Sequence, residues 1–390
     1  MCPSDPFYVA QVNCQGDSDA IEEIATEIEW QDGGGGCLFT GQRGTGKSTE
    51  LKRLKKRLED GGTVVFYADL SEFLLLTKEV EISDFLVSVA GAMSERVQAV
   101  YGASPGGRSY WDRFGEFMQT KVDITEFAAR LPGVDIKVAL KSDPDFKRRV
   151  QEAARGHVAQ LAREAHDFLA EAVLFVRERK SDPACKVVLL IDSVERIRGV
   201  GSEAMAVYES VCNLFFGHAE LLRVPLLHIV YTIPPYLSVL GPGAGALMGG
   251  AVPRRLVSTH VFKDRSRDPD IEGLAVLRTV VDRRYSDWSR LFDQKALDQL
   301  AISSGGDLRE FFRLIRLCLP AVRDDSQLPL SPIAVKAAEN AARSEMLPIP
   351  GEHLVWLQRI ARTHDICLEK DRLYAVSCGN GREACGLRGR

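Results

Sequence analysis

Gly41-Gln42-Arg43-Gly44-Thr45-Gly46-Lys47-Ser48 is the stretch that decides the fold. It fills every position of the pattern G-x-x-x-x-G-K-[ST]. Its setting gives the pattern meaning. Cys37-Leu38-Phe39-Thr40 before it reads as a short buried strand, and Ser48 to Leu58 after it reads as a helix with apolar residues at 51, 54 and 58. Strand, glycine loop and helix is the arrangement that phosphate binding needs. Glycines let the backbone wrap a phosphate chain without Cβ clashes. The loop N–H groups and the helix N-terminus then face anionic oxygens. On this reading Gly41, Gln42, Arg43, Gly44, Thr45, Gly46, Lys47, Ser48 and Thr49 form the binding loop for ATP. Lys47 reaches the β- and γ-phosphates and Ser48 ligates Mg²⁺. The competing reading is a glycine-rich turn that binds nothing, which leaves Lys47 without a packing reason for its position.

Composition narrows the class. The chain has 390 residues, enough for two or three domains, with 45% apolar and 27% charged residues. A formal net charge of −4 argues against a chain that coats nucleic acid by bulk electrostatics, while leaving room for a local basic patch. The nine cysteines are odd in number and contain no C-x-x-C pair, which reads as a reduced, cytoplasmic protein rather than a disulfide or zinc scaffold. No stretch has the length and apolarity of a membrane span or a signal peptide, so a membrane is not an expected partner.

The order of elements extends the loop into an α/β domain. Asp19 to Trp30 reads as an amphipathic helix with Ile21, Ile24 and Ile28 on one face, and Gly33 to Gly36 as a flexible link. Val64 to Ala68 reads as a second strand and Ile82 to Val100 as a helix, with a turn-rich break from Gly102 to Arg108. Residues 101–183 exceed what a minimal nucleotide-binding sheet needs. Within them Val134 to Leu140 alternates like a strand with one wet face. Asp145 to Lys180 carries apolar residues at 150, 154, 158, 161, 165, 168, 172 and 176, a helical stripe about 50 Å long at ~1.5 Å per residue. That helix either packs on the nucleotide domain or forms an arm for a partner. Lys186 to Asp192 and Leu226 to Thr232 read as buried parallel strands, and Val257 to Phe262 as a further one. Strands alternating with helices predict a doubly wound parallel sheet. From Pro269 onward the pattern is helical. The division expected is a lead-in at 1–36, a core at 37–268 with its insertion at 101–183, a helical lid at 269–347 and a C-terminal segment at 348–390.

Several residues in the second half carry candidate chemistry. Asp192 ends an apolar strand, where α/β sheets bind ligands, and a carboxylate there holds Mg²⁺ through water together with Ser48. Ser193 follows directly and cannot act as a base. Glu195 is therefore the candidate for activating the attacking water, against a plain surface acid. Thr232 ends its strand and either orients that water or caps a turn. Gly241 to Ala246, with Gly249 and Gly250, reads as a loop of no assigned role. Arg254 and Arg255 are either an arginine finger toward a neighbouring subunit or a solvated pair. Ser304-Gly305-Gly306-Asp307-Leu308-Arg309 makes a sharp turn, a cap and a helix start. Arg309 lies in the first turn, where a cation opposes the macrodipole, so its place suits a phosphate better than the helix.

These residues together resemble the AAA+ and STAND groups of P-loop ATPases, especially prokaryotic members close to origin-recognition-type ATPases and KAP-type ATPases. The resemblance spans roughly residues 10–345. It implies that Gly41 to Ser48 is Walker A, Asp192 the Walker B acid, Thr232 sensor 1, Arg254 or Arg255 the arginine finger and Arg309 sensor 2 on the lid. The string Asp192-Ser193-Val194-Glu195-Arg196 departs from a plain Asp-Glu Walker B and is similar to the extended form with an acid three residues on. Residues 352–390 resemble the start of a winged-helix module: His353 to Thr363 as a helix, then Cys367 to Ser377 and Gly379-Asn380-Gly381 as a hairpin.

The fold implied is thus a P-loop NTPase parallel sheet of AAA+ type, followed by a helical lid and a partial winged-helix-like segment. The leading functional expectation is an ATP-operated switch that forms homo-oligomers and acts on a protein effector, a sensor or regulator such as those of prokaryotic signalling and phage defence. The alternative is a DNA-associated ATPase, an initiator or transposition-type loader, binding DNA through Lys370, Arg372, Arg382, Arg388 and Arg390. A small-molecule P-loop kinase fits less well, since such kinases are usually smaller and need no long helical lid.

Overall fold

The structure is a computed structural model. It describes residues 3–10, 19–121, 136–199, 203–240, 248–249, 252–263, 266–321, 328–330, 332–349 and 351–363. The expected hairpin at Cys367 to Gly381, the basic residues from Lys370 to Arg390 and the loop Gly241 to Ala246 lie outside the described residues, as does Gly250.

Among the described residues five strands form one sheet. They are β1 (Gly35–Gly41), β2 (Val64–Asp69), β3 (Val187–Asp192), β4 (His228–Ile233) and β5 (Arg254–Leu256), in spatial order β2-β3-β4-β1-β5. The β2–β3, β3–β4 and β4–β1 pairs are parallel. Every residue of β3 and β4 is buried, as continuous apolar strands covered on both faces must be. The α/β fold with a parallel sheet and a helical segment after it is the one expected from the P-loop and the strand–helix alternation. Gly35 and Gly36 belong to β1, in register with His228 and Ile229, rather than to a flexible link.

The chain divides into two compact units. One gathers residues 1–20, 41–50 and 255–390; the other gathers 21–40 and 51–254. Each has its own apolar core. In the second unit, helix α1 (Ala20–Trp30) buries Ile21, Ile24 and Ile28. Helix α3 (Ile82–Tyr101) contributes Phe85, Val89 and Met93, and the helix Val158–Lys180 contributes Phe168, Leu169 and Val176. In the first unit, Leu277, Leu297, Leu300, Phe311, Leu314 and Val335 pack together from the helices Ile271–Asp282, Gln294–Ser303, Leu308–Cys318 and Pro332–Ser344.

Three expectations are corrected. The alternating run at 134–140 is no strand where it is described: Ile136–Ser142 is a helix, burying the adjacent pair Ala139 and Leu140 while Val138 is 54% exposed. A short apolar run does not by periodicity alone distinguish strand from helix. The long helical stripe is broken. Asp143 caps a helix at Pro144–Ala154 by accepting from the Asp145 and Phe146 N–H groups, and a tight turn at Arg155–His157, containing Gly156, precedes the helix Val158–Lys180. The shorter helix is tied down by Lys147, whose buried ammonium donates to the Glu79 carbonyl and lies 3.4 Å from Asp84. The last strand is Arg254–Leu256, three residues upstream of the expected Val257 to Phe262. Beyond it the backbone at Thr259 and His260 runs against Gly306 and Gly273, so those residues pack on helices instead of pairing in the sheet.

Among the described residues no helix is long and apolar enough to cross a membrane.

Gly306 shows how tightly that segment packs. Its φ is +79°, and a Cβ there would collide with the Thr259 carbonyl oxygen. Gly62 has a similar φ of +86° but open space around it. Gly306→Ala is expected to cost roughly 3 kcal/mol or more, the range of backbone strain plus overpacking. Gly62→Ala should cost only the left-handed penalty, about 1–2 kcal/mol. Urea denaturation of the two variants side by side checks the difference.

Candidate functional site

The glycine loop is built as phosphate chemistry requires. Gly44 and Gly46 have φ of +101° and +98°, a conformation that side chains rarely adopt. Lys47 opens the helix α2 (Lys47–Asp60) and is 5% exposed. Its ammonium turns back into the loop, donating to the Gly41 carbonyl at 2.9 Å and the Gln42 carbonyl at 3.0 Å. The Thr45 hydroxyl also donates to the Gln42 carbonyl, at 2.9 Å. Glu50, one turn into the helix, is buried and accepts from the Tyr8 hydroxyl at 3.0 Å.

The same unit brings the start of the helix Leu308–Cys318 to the loop. A Cβ built on Gly44 would lie 2.6 and 2.7 Å from the two carboxylate oxygens of Asp307 and 3.1 Å from the Cβ of Arg309. Only a glycine fits so close a neighbour. Arg309 thus stands beside the loop, with its residue exposed to solvent. Asp307 is the cap of that helix: its Oδ1 accepts from the Glu310 N–H at 2.9 Å. Its Oδ2 is buried with no hydrogen-bond partner among the described residues. Burial pushes the Asp307 carboxyl above its ordinary value, and the Glu310 and Arg309 N–H groups and the Arg309 charge do not offset it.

The other unit holds the strand-end acids. Asp192 is 1% exposed and both its oxygens accept: Oδ2 from the Tyr67 hydroxyl at 2.5 Å, Oδ1 from the Ser193 N–H at 2.7 Å. Ser193 has a φ of +73°, the bend that turns its N–H back onto the acid. The next N–H, of Val194, donates to the Thr232 Oγ1 at 3.2 Å. Thr232 is fully buried and so braces the turn that follows Asp192. Glu195 lies in that turn, half-buried. Arg254 is held within this unit by Glu23 at 2.6 Å and Glu27 at 3.6 Å. Arg255, the next residue of β5, is exposed.

Sequence reading passed over two residues here. Asp69 ends β2 and stands in register with Asp192 across the β2–β3 pair. Burial raises its carboxyl, but Ser71, whose N–H donates to it at 2.9 Å, together with the polar Ser193 side chain nearby and the Arg196 charge, outweighs that and leaves it below the usual carboxylate range. Tyr67 lies two residues before it. The signal was present, because Val64 to Asp69 is an apolar strand ending in an acid, the same pattern that singled out Asp192.

No family model matches this chain, and no curated protein matches it. Among solved structures, it is similar to the Aeropyrum pernix ORC2 protein in its ADPNP-ADP complexes, at 12% identity and a TM-score of 0.43, covering 96% of this chain and 83% of that one. It is similar to the Walker-type ATPase PABY2304 of Pyrococcus abyssi at 13% identity and a TM-score of 0.39, covering 99% and 92%. The Thermotoga maritima RuvB Holliday junction branch migration motor gives 11% identity and a TM-score of 0.40, covering 98% and 89%. Likenesses this distant assign no role to any residue of this chain.

The raised carboxyl of Asp307 has a consequence for stability. A carboxyl that is harder to ionise when folded penalises the fold wherever it is charged. The penalty is full above the folded pKa and vanishes below the unfolded one, near ~3.9. Asn caps a helix as well as Asp and carries no charge. Asp307→Asn is therefore expected to melt a few degrees higher at pH 7.5, with the gap closing as the pH falls through the carboxylate range. Calorimetric melts across that range check it; a variant that melts lower at pH 7.5 would show the charge favouring the helix N-terminus instead.

Proposed function

We propose that this chain binds and hydrolyses ATP as a molecular switch of the AAA+ type. The observation that carries the reading is the glycine loop with a buried lysine at the start of a 14-residue helix. The residues fit a triphosphate. Two left-handed glycines open the loop to a close-lying ligand, and the Lys47 ammonium already points at oxygen acceptors, the Gly41 and Gln42 carbonyls, beside which charged phosphate oxygens are stronger partners.

Each residue then has a stated role. Gly41 to Thr49 supplies N–H groups and the helix N-terminus to the phosphates. Lys47 binds the β- and γ-phosphates. Ser48 and Asp192 are the residues that would hold Mg²⁺, Asp192 through water; bound there, the ion neutralises charge on the phosphate oxygens. Glu195 takes the proton of the attacking water. Thr232 keeps the turn after Asp192 in place. Arg309 senses the γ-phosphate from beside Gly44, so ATP and its product differ in what they contact, which is what a switch needs. Arg254 or Arg255 would serve as an arginine finger acting on a second copy; Arg255 is exposed in β5, and Arg254 pairs with Glu23 and Glu27. A homo-oligomer and a protein effector follow from this reading. A regulatory role, as in prokaryotic signalling or defence, is the setting such a cytoplasmic switch suits.

Two variants separate binding from turnover. Lys47→Ala should remove most ATP affinity in calorimetry while the protein still melts cooperatively. ATP binding at the original strength in that variant would end the proposal. Glu195→Gln should keep ATP bound and slow hydrolysis about 10²-fold or more, as loss of a general base does. Turnover at the original rate would instead make Glu195 a surface acid and leave Asp69, the other strand-end carboxylate, as the next base to test.

A further inference from the structure

Asp192 is a buried carboxylate whose two oxygens each hold one donor. Ser193 supplies one through its backbone, and that bond is built into the turn. The other comes from a side chain on the neighbouring strand, Tyr67. The sheet explains how it reaches. Tyr67 pairs with Leu190, and Asp69 with Asp192, so Tyr67 sits diagonally behind Asp192 on the same face of the β2–β3 pair. A diagonal neighbour lies about 7–8 Å away by Cα, within the span of a tyrosine but of few other side chains. The ring is half-buried, with the Lys52 ammonium 5.8 Å from its centroid.

An ionised carboxylate offers about four acceptor sites. Two donors, one per oxygen, restrain the orientation of the group and leave the remaining lone pairs for other ligands. A water on a bound cation needs its acceptor held in a fixed direction, and ligand-orienting hydrogen bonds of this kind tune metal affinity. We propose that Tyr67 is a positioning residue whose hydroxyl holds the Asp192 carboxylate in the orientation that receives a Mg²⁺-bound water. The inference rests on the role given to Asp192 above.

The test uses the full chain and a fluorescent ATP analogue, titrated with Mg²⁺ and, separately, in excess EDTA. Tyr67→Phe removes one hydroxyl and keeps the ring. The expected result is analogue affinity in EDTA within about 2-fold of the parent, and a Mg²⁺ requirement for tight binding raised about 10-fold, the lower end of what loss of an orienting hydrogen bond costs. The double variant Tyr67→Phe/Asp192→Asn should need no more Mg²⁺ than Asp192→Asn alone, because Tyr67 acts only through that carboxylate. An unchanged Mg²⁺ requirement in Tyr67→Phe overturns the proposal. So does an additive double variant, which would give Tyr67 a separate route of action, and so does weakened binding in EDTA, which would make its role structural. If Asp192→Asn itself leaves the Mg²⁺ requirement unchanged, the metal role of Asp192 fails, and the positioning role fails with it.

Discussion

A buried ammonium needs oxygen atoms around it, and in this chain the loop supplies them from its own backbone. Lys47 is almost wholly removed from solvent and donates to the carbonyls of Gly41 and Gln42. Leaving such a charge unpaired in the interior would cost several kcal/mol. The loop therefore curls around the lysine, and that curl gives it the shape that the proposed phosphate site needs. The left-handed glycines, the short strand before the loop and the helix after it are conditions for this one interaction. They bring the lysine to the helix N-terminus, where the backbone N–H groups add to its field.

Much of this was legible in the residues. The glycine pattern and the buried strand before it located the loop, and apolar runs ending in acids located β3 and placed Asp192 at its carboxyl end. The cap at Asp307 was readable from the glycines before it, and so was the first-turn position of Arg309. What could not be read was the company these residues keep. That Asp307 and Arg309 stand against Gly44 depends on long-range packing, which periodicity does not encode. The Tyr67 hydroxyl on Asp192 likewise depends on the pairing of β2 with β3, and pairing partners are not written in either strand alone.

The errors have a common physical origin. Short elements carry too few residues for their pattern to outweigh their surroundings. β5 has three residues, and the apolar alternation just after it belongs to a segment whose backbone packs against glycines. The run at 136–142 has seven residues, and packing chose which of them to bury. In the stripe from 145 to 180 the apolar spacing survives across Gly156, but the helix does not, because a glycine among helical residues weakens the backbone without disturbing the pattern of its neighbours.

The division of the chain has one more consequence. The unit that contains the glycine loop takes it from residues 41–50 and takes the helices around Asp307 from far downstream, with residues 51–254 of the other unit lying between them in sequence. On the ribosome, which releases the chain from its N-terminus, the loop emerges long before Asp307 exists. The segment 51–254 has its sheet strands β2, β3 and β4 and its own core to form in the interval. The contact between Gly44 and Asp307 is thus among the last that synthesis permits. A nascent chain halted anywhere upstream carries a glycine loop that Lys47 can curl but that lacks the Asp307 and Arg309 neighbours of Gly44.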